Sequence, residues 1–354
     1  MPNVALPVDD LEKQPLCTSY RCPCATKTNS RSRDKKWLAA FGLFFLAIVG
    51  LHYLNLPSEP HIYNTSELAY AEAVCRNPSI PWSGESVFQV PETYKGLHVD
   101  QSDNHGVTIT SDGHNNVRVV QNSTVDRVTV VFDIKVANEN DQDRIWIEQK
   151  VLSDGVLGLF IKHDRQRKYP LCANLDILIQ LPEHSSLDIL KVGIVHSDIS
   201  VQEDLVFSKK LNLATVKGDI IVNNVTAGNS KFASTSGIVH AMFNSLDGNL
   251  DISAVKGDLS VFVSKVAEDV SSMKLSTVSG SVDLSLPRDY DSQFKLSTIS
   301  GSTAVKSQTT PEKIHINGSN WGHNKSGYYG DNNVTQKRLG LSTVHGDIVL
   351  AYDL

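Results

Sequence analysis

One phrase recurs along the second half of this chain and constrains its fold more than any other feature. LNLATVKGDIIV (Leu211 to Val222) returns as LDISAVKGDLSV (Leu250 to Val261), LSTVSGSVDL (Leu275 to Leu284), FKLSTISGSTAV (Phe294 to Val305) and LGLSTVHGDIVL (Leu339 to Leu350). Weaker copies stand at FASTSGIV and LKVGIVHSDISV. In each full copy, apolar and polar residues alternate on either side of a short turn, so each flanking strand buries one face. The turn position is held by Ser197, Gly218, Gly237, Gly257, Gly280, Gly301 and Gly346, at steps of 21, 19, 20, 23, 21 and 45 residues. The last step is about two periods. Such a spacing fits one rung of a parallel β-solenoid, whose coils stack so that equivalent turns form columns. Glycine suits such a turn because it tolerates positive φ and lets neighbouring rungs approach closely.

The flanking residues then acquire roles. Leu211, Leu213, Ile220 and Val222 in one rung, and Leu250, Ile252, Leu259 and Val261 two rungs later, should stack inward as ladders that form the core. Thr215, Thr277, Thr298 and Thr343 fall at matching places before the turn and predict a hydroxyl column, either facing solvent or bonding between rungs.

Upstream, VTVVFDIKV, RIWIEQKV, LGLFIKHD and LDILIQLP follow one another as alternating strands with no helical pattern between them. Units of strand, helix and strand are thereby excluded, and the fold class is all-β. The expected order is a disordered cytosolic tail over 1–36, polar and without apolar periodicity, a transmembrane helix over 37–54 and a stalk over 55–86. An N-terminal β region over 87–174 and the repeat solenoid over 175–354 complete it. TSELAYAEAVC (Thr65 to Cys75) is the one soluble helix anticipated, within the stalk.

The membrane segment is WLAAFGLFFLAIVGLHYL, Trp37 to Leu54, in which only His52 can carry charge. As a helix it spans roughly 27 Å at about 1.5 Å per residue, enough for a thin bilayer. Lys27, Arg31, Arg33, Lys35 and Lys36 precede it, and no Lys or Arg follows until Arg76. The asymmetry predicts a single-pass type II anchor with a cytosolic N-terminus, and a luminal or extracellular C-terminal domain on the secretory route or cell surface. A cleaved signal peptide is the alternative, against which stand the long charged lead-in and the lack of a small-residue cleavage site.

Glycosylation acceptors of the form N-x-S/T occur at Asn64, Asn122, Asn224, Asn317, Asn324 and Asn333, all on the expected outer side. Cys17, Cys22 and Cys24 lie in the tail, where thiols stay reduced and no fourth zinc ligand is near. S-acylation is an alternative for them, although they lie far from the anchor. Cys75 and Cys172 are the thiols on the oxidising side; a disulfide between them is the simplest pairing, with two buried free thiols as the alternative.

Repeated units of the form L-x-L-S-T-V-x-G-D-I-x-V, preceded by strand-plus-proline phrases such as LDILIQLPEHSSLDIL and SVDLSLPRDYDSQFKL, resemble the putative-adhesin family of domains of unknown function. The resemblance covers Leu175 to Leu354 well and Val87 to Pro170 loosely. It implies a right-handed parallel β-solenoid on a membrane-anchored protein. Its motifs are structural, so it transfers no catalytic residue.

Several chemistries compete with this reading. The net charge of -6 gives no basic surface for nucleic acid. Asp198, Asp219, Asp258 and Asp347 recur after the turn, and paired carboxylates can hydrolyse glycosidic bonds; yet Ile238, Ser281 and Ser302 interrupt the column, and Asp in a turn ordinarily bonds backbone amides. The calcium-roll nonapeptide is absent. Asp289-Tyr290-Asp291 has the form of a nucleotide-sugar metal motif but lacks an α/β domain around it, and a loop after Pro287 is the simpler account. The histidines show no paired zinc spacing, and no catalytic motif or cofactor site is expected. Trp321, Tyr328 and Tyr329 lie among glycines and form a candidate ligand-binding loop, for glycans or a surface protein, or else a cap folded over the solenoid. The expectation is a non-enzymatic glycoprotein for adhesion, scaffolding or ligand binding, with a carbohydrate-active enzyme of the secretory pathway as the alternative.

Overall fold

Alternation of buried and exposed residues forces these strands to share an interior, and the computed structural model shows how. It describes residues 78–101, 115–152, 154–164, 171–317, 323–331 and 336–353. All of them belong to one compact unit, Asn64–Leu354. The expected membrane segment Trp37 to Leu54, the cytosolic tail and the short helix from Thr65 lie outside the described residues. Among the described residues no helix is long and apolar enough to cross a membrane.

The repeat forms a two-sheet parallel solenoid. In the Gly218 rung, Val206–Lys217 runs along one sheet, the chain turns at Gly218, and Ile220–Ser236 begins on the other sheet before bending back to start the next rung. Parallel registers pair Leu211 with Leu190 and Ser230, Leu213 with Val192 and Phe232, and Ile220 with Ile199 and Val239. The expected ladder residues Leu211, Leu213, Ile220, Val222, Leu250, Ile252, Leu259 and Val261 are all buried. With the interior dry and both sheets in parallel ladders, core packing and backbone hydrogen bonding reinforce each other at every rung.

The turn column explains its glycines. Gly237 has φ +152°, and an added Cβ there would sit 1.9 Å from the carbonyl oxygen of Gly218. A side chain at this position would therefore push the rungs apart as well as strain the backbone.

The order of the rungs departs from the order of the sequence at both ends. The wide last step of the repeat leaves the register of the last rung open in the sequence. Arg338–Ser342 lies between Ser272–Ser276 and Ser292–Ser297, and Ile348–Tyr352 lies between Val282–Leu286 and Thr303–Lys306. The Gly346 rung is therefore inserted between the Gly280 and Gly301 rungs. The insertion is possible because the copies are interchangeable: Leu339 pairs with Met273 on one side and Phe294 on the other, and Leu341 with Leu275 and Leu296. The N-terminal end does the same. Gly96–Asp100 lies between Val156–His163 and Ser186–His196, while Asn116–Gln121 lies between Ala173–Leu181 and Asp198–Val201.

Antiparallel strands close the stack. Ile145–Val151 pairs with Val156–His163, and Thr129–Val136 covers Ala173–Leu181 and itself carries the short strands Ile80–Pro81 and Val87–Gln89. At the other end Asn324–Tyr329 pairs with Ser292–Ser297 and carries Ile314–Ile316. The reversal covers the sheet that ends on Ser292–Ser297, whereas on the other sheet Thr303–Lys306 pairs with Ile348–Tyr352 alone among the described strands.

Candidate functional site

The recurrent polar residues of the glycine edge are the first candidates for chemistry, and their bonds define what they do. Thr215 donates its hydroxyl hydrogen to the Ser197 carbonyl at 2.9 Å, Ser234 to Gly218 at 3.2 Å and Thr277 to Gly257 at 3.1 Å. Thr343 donates to Gly280 at 2.9 Å and Thr298 to Gly346 at 3.0 Å, following the inserted order of rungs. Of the two alternatives for this column, bonding between rungs is the one adopted. Ile194 and Ala254 stand at the equivalent places with no hydroxyl.

The acids work in the same way. Oδ1 of Asp198 accepts from the Asp219 amide at 2.8 Å, and Asp219 from the Ile238 amide at 2.8 Å. Asp258 accepts from the Ser281 amide at 2.7 Å and Asp347 from the Ser302 amide at 2.7 Å. Each carboxylate thus ties its own turn to the next one along the stack. The bonds from the Ser302 amide and hydroxyl hold the Asp347 carboxyl below its usual range. Asp283, on the outer face of the second sheet, is shifted upward by burial and by the charges of Asp258 and Asp347, with Lys306 opposing. None of these acids lines the cleft around Trp82 and Trp146.

The remaining expected sites are distributed as follows. In the Asp289-Tyr290-Asp291 stretch, Tyr290 is buried with its hydroxyl donating to the Val270 carbonyl at 3.4 Å, and its amide closes a turn on Pro287 at 3.1 Å. The segment is a loop anchored by its tyrosine. Of the two alternatives for the aromatic loop, Tyr329 has the placement expected of a cap: it is fully buried and stacked on Tyr352, with ring centroids 3.8 Å apart and planes at 6°. Its hydroxyl lies 2.7 Å from that of Thr310 and donates to the Arg288 carbonyl at 3.0 Å. Strand alternation sends Tyr329 inward and leaves Tyr328 half-buried, where it stacks on His315 at 4.4 Å. Trp321 lies outside the described residues.

Asn317 and Asn324 are exposed, and Oδ1 of Asn324 accepts from the Ser297 hydroxyl. Oδ1 of Asn122 accepts from the amide and the hydroxyl of Thr124, and Asn224 has φ +45°. Asn64 and Asn333 lie outside the described residues. Cys172 is buried and disulfide-bonded; Cys75, its expected partner, also lies outside them. Among the described residues no three His, Cys, Asp or Glu side chains are grouped to hold a metal ion.

Sequence reasoning missed a cleft of about 290 Å3 at the N-terminal end, lined by Trp82, Glu85, Phe88, Asp143, Ile145 and Trp146 among others. Gln142 assembles it. Its backbone carbonyl accepts from Trp82 Nε1 at 3.0 Å, its Oε1 from the Ser83 amide at 2.7 Å, and its Nε2 donates to the Pro81 carbonyl at 2.8 Å. The turn carrying Gln142 and Asp143 is pinned beneath by the buried Arg144 to Asp141 pair at 2.8 Å.

A two-sheet parallel β-solenoid whose recurrent acids and hydroxyls bond its own backbone is a structural repeat domain. The chain belongs to the Toastrack DUF4097 family, whose pattern matches residues 94–242 and 241–351. No functionally curated protein matches it. Similar solved structures include a protein described as a "putative cell adhesion protein" from Clostridium sporogenes, 11% identical with a TM-score of 0.30, covering 77% of this chain and 99% of that one. A "putative adhesin" from Bacteroides fragilis is 12% identical with a TM-score of 0.35, covering 75% and 94%. A "putative lipid binding protein" from Parabacteroides distasonis is 13% identical with a TM-score of 0.33, covering 77% and 98%.

Proposed function

We propose that this chain is a single-pass type II membrane glycoprotein whose β-solenoid ectodomain acts without catalysis, in adhesion, scaffolding or ligand binding at the luminal or extracellular face. The observation that carries the binding reading is the use of the repeated acids and hydroxyls. Each Asp of the turn column accepts a backbone amide from the next rung, and the Thr and Ser hydroxyls donate to the carbonyls of the preceding turns. Groups committed to holding rungs together are poor candidates for moving protons on a substrate. The disulfide at Cys172 supports the topology, because such bonds persist on the oxidising side of a membrane. The positive charge before Trp37 and the exposed acceptors Asn317 and Asn324 support the same side.

The test is to express the full-length chain with a tag at each end in a secretory cell. A C-terminal tag shielded from protease in sealed microsomes, with an endoglycosidase-sensitive mass that falls on changing Asn317 and Asn324 to Gln, is the expected result. A C-terminal tag digested in sealed microsomes overturns the topology. Adherence of the expressing cells to a glycan or cell-surface panel, without product release, is expected of the binding role. Released oligosaccharide, lost in Asp258→Asn, would replace it with a carbohydrate-active enzyme.

A further inference from the structure

We infer that the Trp82 to Trp146 cleft is a binding site for a single neutral hexopyranose ring. The inference deepens the ligand-binding reading and rests on it for its biological setting, while the chemistry comes from the cleft itself. Ligand clefts run from about 300 to 1,000 Å3. At about 290 Å3 this one matches the small end, room for one ring and not for an extended chain.

Its walls have the two components that sugar recognition needs. One is a flat apolar platform. Trp146 stands on Ile145–Val151 and is 46% exposed, an unusual position for the largest apolar side chain. Phe88 and Ile145, both buried, form the floor beside it. The aliphatic hydrogens of a pyranose face pack against such a ring and remove apolar area from water on both sides.

The other component is a set of uncommitted acceptors around the platform. Glu85 and Asp143 are both exposed and line the cleft, and neither carboxylate has a partner among the described residues. A carboxylate accepts from two vicinal hydroxyls in charge-assisted bonds, the stronger kind. Two carboxylates also set the sign of the ligand: an anionic sugar would be repelled and a neutral one accepted.

The site is held in shape before any ligand arrives. Gln142 ties down Pro81, Trp82 and Ser83 with one hydrogen bond each, and the buried Arg144 to Asp141 pair fixes the turn that presents Asp143. Gly84 lies so close against the Trp82 ring that an added Cβ would approach ring carbons to 2.1 Å. Rigid walls spare the ligand the cost of ordering them. The same arrangement argues against a quaternary ammonium. Such a cation is held by aromatic faces that surround it, whereas Trp82 is covered on one side by Gly84 and its N–H is already spent.

The test uses the full-length chain in detergent and saturation-transfer NMR with methyl hexopyranosides as probes. Methyl glucoside, galactoside and mannoside are screened beside sialic acid and tetramethylammonium. Saturation of at least one neutral glycoside, lost in Trp146→Ala and weakened at least tenfold in Glu85→Gln with the melting temperature unchanged, is the expected result. No saturation of any neutral glycoside, or saturation that persists in Trp146→Ala, overturns the inference. So does displacement of the glycoside by tetramethylammonium or preferential binding of sialic acid. Cell adherence that survives Trp146→Ala would leave the adhesive role standing while removing this cleft from it. A C-terminal domain found in the cytosol would remove that role while leaving the NMR result to stand by itself.

Discussion

The backbone amide of Gly280 donates to the carbonyl oxygen of His345 at 2.9 Å, so a turn in the middle of the repeat is closed by the rung that comes last in the chain. Gly346 in turn donates to Ser300 at 2.9 Å, a residue of the rung that precedes it in sequence and follows it in space.

That position makes Gly346 intolerant of a side chain. Its φ is +149°, and an added Cβ would lie 2.0 Å from the Gly280 carbonyl oxygen. Gly346→Ala is expected to cost about 3 kcal/mol or more from strain and displaced rungs together. Gly340→Ala, whose new Cβ would meet only the Lys274 side chain at 3.9 Å, should change stability by less than about 0.5 kcal/mol. Urea unfolding midpoints of the two variants make the comparison; equal losses would refute it.

The hydroxyl column lacks a donor at Ala254, a small residue that can be replaced by a larger one, and has several bonds to remove. Ala254→Thr places a donor within reach of the Gly237 carbonyl and should stabilise by about 0.5–1.5 kcal/mol. Thr277→Val leaves the Gly257 carbonyl without its 3.1 Å partner and should destabilise by about 1–2 kcal/mol. A rise in melting temperature for the first and a fall for the second is the expected pair.

Two carboxylates, Asp347 in the turn column and Asp283 on the second sheet, should respond oppositely to acid. Asp347 is held below its usual range, so its stabilising bond to Ser302 is fully present above the ordinary pKa of 3.8 and is lost as pH falls through the lower folded value. Asp283 is shifted upward, so the cost of its buried charge is fully present above its raised value and relieved as pH falls through that value toward 3.8. Asp283→Asn is expected to raise the melting temperature at neutral pH and to narrow its advantage progressively on acidification. Asp347→Asn should flatten the acid limb below pH 3.8. Melting curves across the acid range decide both.

Tyr329 should behave as core and Tyr328 as surface. Tyr329→Ala removes a ring stacked on Tyr352 and both hydroxyl partners, an expected loss of about 3–5 kcal/mol. Tyr328→Ala should cost about 1 kcal/mol. Thermal unfolding of the two variants would rule out the assignment if Tyr328→Ala were the more damaging.

The solenoid, its inward ladders and its glycine turns were legible because they repeat, and repetition converts weak local preferences into a strong pattern. The rung order was not. Leu275, Leu296 and Leu341 sit in nearly identical phrases, so pairing any two satisfies the same apolar and hydrogen-bonding demands, and periodicity cannot say which are neighbours. The glycines around Tyr329 left a ligand-binding loop and a cap both open, and strand alternation there turns its ring inward. The cleft was invisible for a different reason. Trp82 and Gln142 meet through non-local bonds, at the antiparallel end where no repeat guides the eye.

The inserted rungs also restrict how a domain of this kind can change in length across generations. Duplicating or deleting a rung between Ser197 and Gly280 keeps every neighbour in sequence order and leaves both closures untouched. Adding one after Gly301, or before Gly96, would have to thread a new strand pair past a segment that already folds back into the stack. Copy number is therefore free to drift in the interior and held fixed at the ends, as beads can be added to the middle of a necklace whose clasps are both shut.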